Sequence, residues 1–230
     1  MIWLGIDTAN APLSVAVVKD EVVVAELTQN NKVTHSIGAM PTIEEALIRA
    51  KLSVKEIDAI AVSAGPGSYT GVRIGVTIAK TLAWSLQKPI IPVSSLQALT
   101  YNVPYFNGVI CAMIDARRQH VYSGAYQGEQ VIIEDGHYAV IDLLPKLRDL
   151  HVPILFVGRD VTMYWDIIEE IVGPHALRAP FTMDLPRASE VIRLAMAQPT
   201  EAAVHDVTPI YKRIAEAEAN WLKEQKANGK

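Results

Sequence analysis

Apolar and polar positions change period several times along the chain, and each change marks an element. Ile2 to Asp7 is an apolar run closed by an acid; Ser14 to Val18 and Val22 to Leu27 are two more runs, joined at Lys19-Asp20-Glu21. Short apolar runs bounded by turn residues read as strands, so three antiparallel strands in two hairpins are expected. The period then lengthens. Met40, Ile43, Leu47 and Ala50 recur at helical spacing, with Pro41 either starting this helix or bending it. Lys55 to Val62 is a linker and strand, Val72 to Leu86 a long apolar helical pattern, and Ile90 to Val93 a short strand. A helix through Leu96 and Leu99 follows, capped by Ser94 or Ser95.

The order restarts after Asn107-Gly108. Val109 to Ile114 is an apolar strand ending in Asp115, His120 to Tyr126 and Gln130 to Glu134 are the return strands, and Ile141 to Leu150 is a helix. Ile154 to Val157 is a strand and Val161 to Ile171 a helix; Ala188 to Ala197 and Ile214 to Lys226 are helical in pattern. Gly5-Ile6-Asp7-Thr8 and Met113-Ile114-Asp115-Ala116 place Ile-Asp at the same point of each half. The pattern is an internal duplication. The expected class is α/β, two βββαβα-type halves laid out as in actin, sugar kinases and Hsp70. The expected division is residues 1–106 and 107–230, with the C-terminal helix packing back.

Between the fourth strand and its helix lies Gly65-Pro66-Gly67-Ser68-Tyr69-Thr70-Gly71-Val72-Arg73-Ile74-Gly75. Glycines flank a residue of fixed φ, so Gly65 or Gly67 is expected at positive φ, where a Gly→Val change would cost about 1–3 kcal/mol. Ser68 or Thr70 can cap the helix. On the helix, Ile74, Ile78, Leu82 and Leu86 form a ridge of large residues beside a ridge of small ones, Gly71, Gly75, Ala79 and Ala83. With Val72 and Val76 the apolar arc spans roughly 200°, about twice one buried stripe. Such a helix either touches a second body or is buried within its own domain, and the pattern does not say which ridge faces the sheet.

Composition narrows the chemistry. The 230 residues carry a net charge of −4 and one cysteine, Cys111, inside an apolar run. No basic surface for direct, strong nucleic-acid binding is implied. An internal disulfide is excluded, and no apolar run is long enough to span a membrane. The start lacks a signal-peptide pattern, so a cytoplasmic location is expected. Hairpins that grip phosphates need glycine after the acid, but Asp7 is followed by Thr8-Ala9-Asn10 and Asp115 by Ala116-Arg117-Arg118. Both acids therefore read as hydrogen-bonded turn residues. Arg117 and Arg118 can bind a phosphate or carboxylate, though a bare pair more often forms a solvated face. The glycine loop matches neither the P-loop nor the dinucleotide pattern. No two of the six histidines lie four apart; His35-Ser36 is the most site-like position.

The glycine motif resembles the TsaB (YeaZ) family of tRNA threonylcarbamoyladenosine biosynthesis proteins. Ile6-Asp7-Thr8, His35-Ser36, Met113-Ile114-Asp115-Ala116-Arg117-Arg118 and Pro209-Ile210-Tyr211-Lys212-Arg213 support it. The resemblance implies an actin-like fold of two ribonuclease-H-like halves. It also implies a noncatalytic partner and activator of a TsaD-type transferase, which modifies adenosine 37 of tRNAs reading ANN codons. TsaD-like proteins carry a metal-binding His-x-x-x-His pair, and no histidine stands between Leu96 and Tyr105. No catalytic residue, metal or cofactor is therefore expected. The implied partners are the TsaD-type paralogue, a TsaE-type ATPase and, when alone, a second copy, with tRNA touched only indirectly or weakly. The expected interface is Met40, Ile43, Leu47, Val72, Gly75, Ile78, Ala79 and Leu82. The loop residues Gly65, Pro66, Gly67, Ser68, Thr70, Gly71 and Arg73 lie beside it. The alternatives are an independent actin-like enzyme (a kinase, or a metal-dependent transferase or protease) and a homodimeric binding module.

Overall fold

The computed structural model describes residues 1–31, 34–198 and 203–212. The first half runs β1 (Ile2–Asp7), β2 (Leu13–Lys19), β3 (Val22–Gln29), α1 (His35–Ala50), β4 (Ala59–Ser63), α2 (Tyr69–Leu86), β5 (Ile90–Val93) and α3 (Ser95–Thr100). The second repeats it: β6 (Val109–Asp115), β7 (His120–Gln127), β8 (Gln130–Ala139), α4 (Val140–Arg148), β9 (Ile154–Val157), α5 (Trp165–Val172), β10 (Ala176–Arg178) and α6 (Ala188–Met196). Each half is thus βββαβαβα, the βββαβα unit followed by one more strand and helix, of which only β10 is absent from the sequence pattern. The sheets have the same order, β3-β2-β1-β4-β5 and β8-β7-β6-β9-β10. In each, the hairpin strands pair antiparallel and the later strands parallel.

Strand side chains alternate between faces, so each sheet buries two cores. Leu4 and Ile6 of β1 meet Ile43 and Ala46 of α1 and Val76 and Ala79 of α2. Trp3 points the other way, toward Val191, Ile192 and Ala195 of α6. In the second sheet Cys111 and Met113 meet Leu143 and Leu147 of α4 and Ile168 of α5, whereas Ile110, Ala112 and Ile114 meet Leu96 and Leu99 of α3. The last helix of each half therefore covers the other half's sheet. Polar bonds fix the exchange. Ser14 Oγ accepts from Ala188 N at 2.9 Å, and Glu26 accepts from Ser189 N at 2.9 Å and from Arg187 Nη2 at 3.0 Å. Ser94 caps α3 through Gln97 N, and its hydroxyl also donates to Asp135 of β8, which accepts from Tyr126 as well.

Two expectations change and one is settled. The helix expected over Val161 to Ile171 is split into a 3-10 turn, Arg159–Tyr164, and α5, because the chain leaves β9 through Gly158 at φ +125°. Strand β8 runs on to Ala139, past Gly136, on which the outer end of the Tyr138 ring rests. Pro41 lies inside α1. The helical pattern Ile214 to Lys226 falls outside the described residues.

Candidate functional site

The glycine loop is the junction of four chain segments. Ala9 carbonyl accepts from Ser68 N at 2.7 Å, and Thr8 Oγ1 donates to Gly71 carbonyl at 2.7 Å. Gly65 carbonyl accepts from Ser95 N at 3.1 Å, and the Ser95 hydroxyl donates to Pro66 carbonyl. Ile210 N donates to Ala64 carbonyl at 2.7 Å. Gly65 has φ +107°, and Gly67 does not have positive φ. The Gly65–Pro66 peptide is cis. Of the two possible caps, Ser68 is used: its Oγ accepts from Gly71 N at 3.3 Å. Thr70 is exposed, and Arg73 donates to Tyr69 Oη at 3.0 Å.

This seating decides which way α2 faces. A Cβ on Gly71 would lie 2.1 Å from the Thr8 carbonyl oxygen, and one on Gly75 2.3 Å from Thr8 Oγ1. The small-residue ridge exists so that α2 can lie on the β1–β2 turn. Ala79, 0 % exposed, Val72 and Val76 continue it into the core. The expected interface is corrected accordingly: Ile43, Leu47, Val72, Gly75 and Ala79 are buried in their own half and present nothing to a partner. Met40 is 48 % exposed, and Ile78 and Leu82 are half-buried at the edge of the same core. Sequence periodicity missed the other members of this face. Ile37, 71 % exposed, and Ile48, 68 % exposed, share the outer stripe of α1 with Met40, and Ile74 is half-buried on α2. The spacing Ile37, Met40, Glu44, Ile48 carries that signal, but the expected interface followed the Met40, Ile43, Leu47 spacing instead, which the structure turns inward after Met40. α1 and α2 pack side by side on one face of the sheet. Their outer surface exposes Ile37, Met40 and Ile48 alongside the charged Glu44, Glu45 and Arg73.

The segment 203–212 runs back along α2. Lys80 Nζ donates to the carbonyls of His205 and Val207, Val207 is buried, and Tyr211 stacks on Tyr69 with ring centroids 4.7 Å apart. It ends at the cleft between the halves, a cavity of about 660 Å³. One wall is Asn10, His35 and the loop from Gly67 to Thr70; the other is the β6–β7 turn from Ile114 to Arg117, with Tyr122, Arg159 and Asp160. Ile210, Tyr211 and Lys212 edge it. His35 Nε2 donates to Asn10 carbonyl at 2.8 Å, which anchors the start of α1 to the β1–β2 turn.

Both strand-end acids are held in turns. Asp7 is buried, and its carboxylate accepts from Ala9 N at 2.9 Å. Burial pushes its pKa up; the Ala9 N–H, the Ser63 hydroxyl and His35 pull the other way. Asp115 accepts from Tyr164 Oη at 2.5 Å and from Arg117 N at 3.0 Å, and Asp160 accepts from Asp115 N at 2.9 Å. The turn that follows has three consecutive left-handed residues, Arg117, Arg118 and Gln119, at φ +66°, +55° and +58°. Each costs about 1–2 kcal/mol outside glycine. Cys111 is fully buried, its thiol pushed up to about 12 by burial, so it is not a nucleophile at neutral pH. Among the described residues, no helix is long and apolar enough to cross a membrane.

The raised Asp7 carboxyl has a consequence for stability. The unfolded chain loses this proton in the ordinary carboxylate range, the folded chain only at higher pH. Its contribution is therefore fully present below that range and is lost as pH rises through the folded value. Asp7→Asn keeps the acceptor for Ala9 N without the charge. It should raise Tm at pH 7, and the gain should vanish below about pH 4. Thermal melts of parent and variant at both pH values check this; an equal gain at both would contradict it.

Comparison with known proteins places these features. Residues 23–221 match the family model described as TsaD, tRNA N6-adenosine threonylcarbamoyltransferase. The tRNA threonylcarbamoyladenosine biosynthesis protein TsaB of Bacillus subtilis is 41% identical over 231 residues, covering 98% of this chain and 100% of that one. Among solved structures, YeaZ from Pseudomonas aeruginosa is 26% identical with TM-score 0.69, over 91% of this chain and 99% of that one. A ROK hexokinase from Thermus thermophilus, 10% identical with TM-score 0.51 over 85% and 97%, shares the fold.

Proposed function

The chain belongs to the TsaB family, and from that premise we propose that it serves tRNA threonylcarbamoyladenosine formation as a noncatalytic subunit that binds and activates a TsaD-type transferase. The observation that carries the reading is the outer face of α1 and α2. Ile37, Met40 and Ile48 stand exposed beside the half-buried Ile74, Ile78 and Leu82. A folded chain that keeps several large apolar residues together on one exposed helix face has a partner for them. The acids that would hold a metal in an actin-like enzyme are held instead in turn hydrogen bonds, which supports a noncatalytic role over an independent kinase or transferase. In the same reading a TsaE-type ATPase joins the pair in the cytoplasm. Without the transferase, two copies of the chain cover the stripe by pairing through it.

The experiment is reconstitution of threonylcarbamoyl transfer to tRNA with a TsaD-type enzyme, a TsaE-type ATPase and this chain. The parent chain should support turnover, Asp7→Asn should support it equally, and Met40→Arg should not. Loss of turnover in folded Asp7→Asn, with binding to the transferase intact, would make the chain catalytic and overturn the reading.

A further inference from the structure

The interlobal cleft has a charge arrangement that the docking role does not use. Its wall carries Arg117 and Arg159, and Lys212 stands at its edge. Among the described residues, Arg117's guanidinium makes no hydrogen bond or ion pair; only its backbone N–H is engaged, on Asp115. Arg159 reaches a neutral amide, Asn30 Oδ1, at 3.2 Å. Lys212 feels Asp135 electrostatically and still borders the opening. The carboxyls that face these cations are engaged through one oxygen each: Asp115 Oδ1 accepts from Tyr164 and Arg117 N, and Asp160 Oδ2 accepts from Asp115 N, with burial pushing Asp160 toward its neutral form. Three cations therefore face two carboxyls in this cleft of an acidic protein, and among the described residues no group of three or more His, Cys, Asp or Glu stands together to hold a metal. The left-handed run from Arg117 to Gln119, an uncommon conformation for non-glycine residues, holds the turn that brings Arg117 to the wall.

We propose that the cleft is a metal-independent phosphate site, in which Arg117 and Arg159 take a phosphate group from the second half and Lys212 approaches it from the C-terminal segment. Guanidinium groups offer paired N–H donors that match phosphate oxygens. The volume suits a small molecule. The phosphate belongs either to a small phosphorylated compound or to an RNA backbone, and competition separates these sources.

The test is calorimetric titration of the full chain with inorganic pyrophosphate in EDTA at 150 mM salt. Saturable binding is expected, weakened at least tenfold in Arg117→Gln and in Arg159→Gln. Both side chains are exposed, so the variants should keep the parent's circular dichroism and Tm. Titration is then repeated with a short single-stranded RNA present. Displacement by RNA supports the site with a nucleic-acid phosphate; unaffected binding supports it with a small phosphorylated ligand. No saturable binding, binding only when Mg²⁺ is added, or equal affinity in parent and both folded variants would overturn the proposal.

Discussion

Gly71→Val should cost about 3 kcal/mol or more and leave little folded protein at 37 °C. Gly71 is in the first turn of α2, where its missing Cβ lets the helix approach the β1–β2 turn. A Cβ would sit 2.1 Å from Thr8 carbonyl oxygen and 3.3 Å from Ser68 Cβ. The first is a backbone atom of a buried residue, so no side-chain rotation relieves the overlap. Overpacking of this kind typically costs about 1–3 kcal/mol. Moving α2 away would also break the Thr8 Oγ1–Gly71 bond and leave a buried hydroxyl and carbonyl unpaired, at about 1–3 kcal/mol more. Urea melts at 25 °C read the change in midpoint. Thr77→Val is the control: Thr77 is exposed on the opposite face of α2, and its replacement should change stability by no more than about 0.5 kcal/mol. A Gly71→Val melt superimposable on the parent would mean that α2 does not rest on the turn as described.

The duplicated architecture was legible because each half carries the same change of period, from 2 to 3.6, in the same order, with an Ile-Asp strand end as a second marker. The loop was legible because glycine is a physical requirement there: Gly65 is at positive φ and Gly71 and Gly75 are at close approach. The use of the small ridge was not legible. Gly71, Gly75, Ala79 and Ala83 permit close approach of something, but helical periodicity gives only the angle between residues and not the direction of the sheet. The structure spends the ridge on Thr8 and the core, so a bulky residue at Ala79 would test folding and not binding. The exchange of α3 and α6 between sheets was out of reach for a related reason. An amphipathic stripe shows that a helix has a buried face, and both sheets offer one. Strand β10, three residues long, has too few positions to display any period.

The second large effect concerns the face of α1 and α2. Met40 and Ile37 lie on the outer stripe of α1, and Ile78 flanks them on α2 at the edge of the core. A charged side chain in the centre of a desolvated interface loses its hydration without a partner. Central interface positions commonly carry about 2 kcal/mol or more each, so an arginine at Met40 should lower affinity for a TsaD-type protein by about 100-fold. The same change should leave the free chain's stability within about 0.5 kcal/mol, because Met40 is 48 % exposed there. Self-pairing should weaken in parallel, read by light scattering, if the stripe serves both. The most direct measurement is a titration of the purified TsaD-type protein with parent chain, Met40→Arg and Arg148→Glu, the last an exposed change on α4 of the other half. Parent and Arg148→Glu are predicted to bind alike and Met40→Arg about 100-fold more weakly; equal affinity of all three folded proteins would place the partner elsewhere and contradict the account.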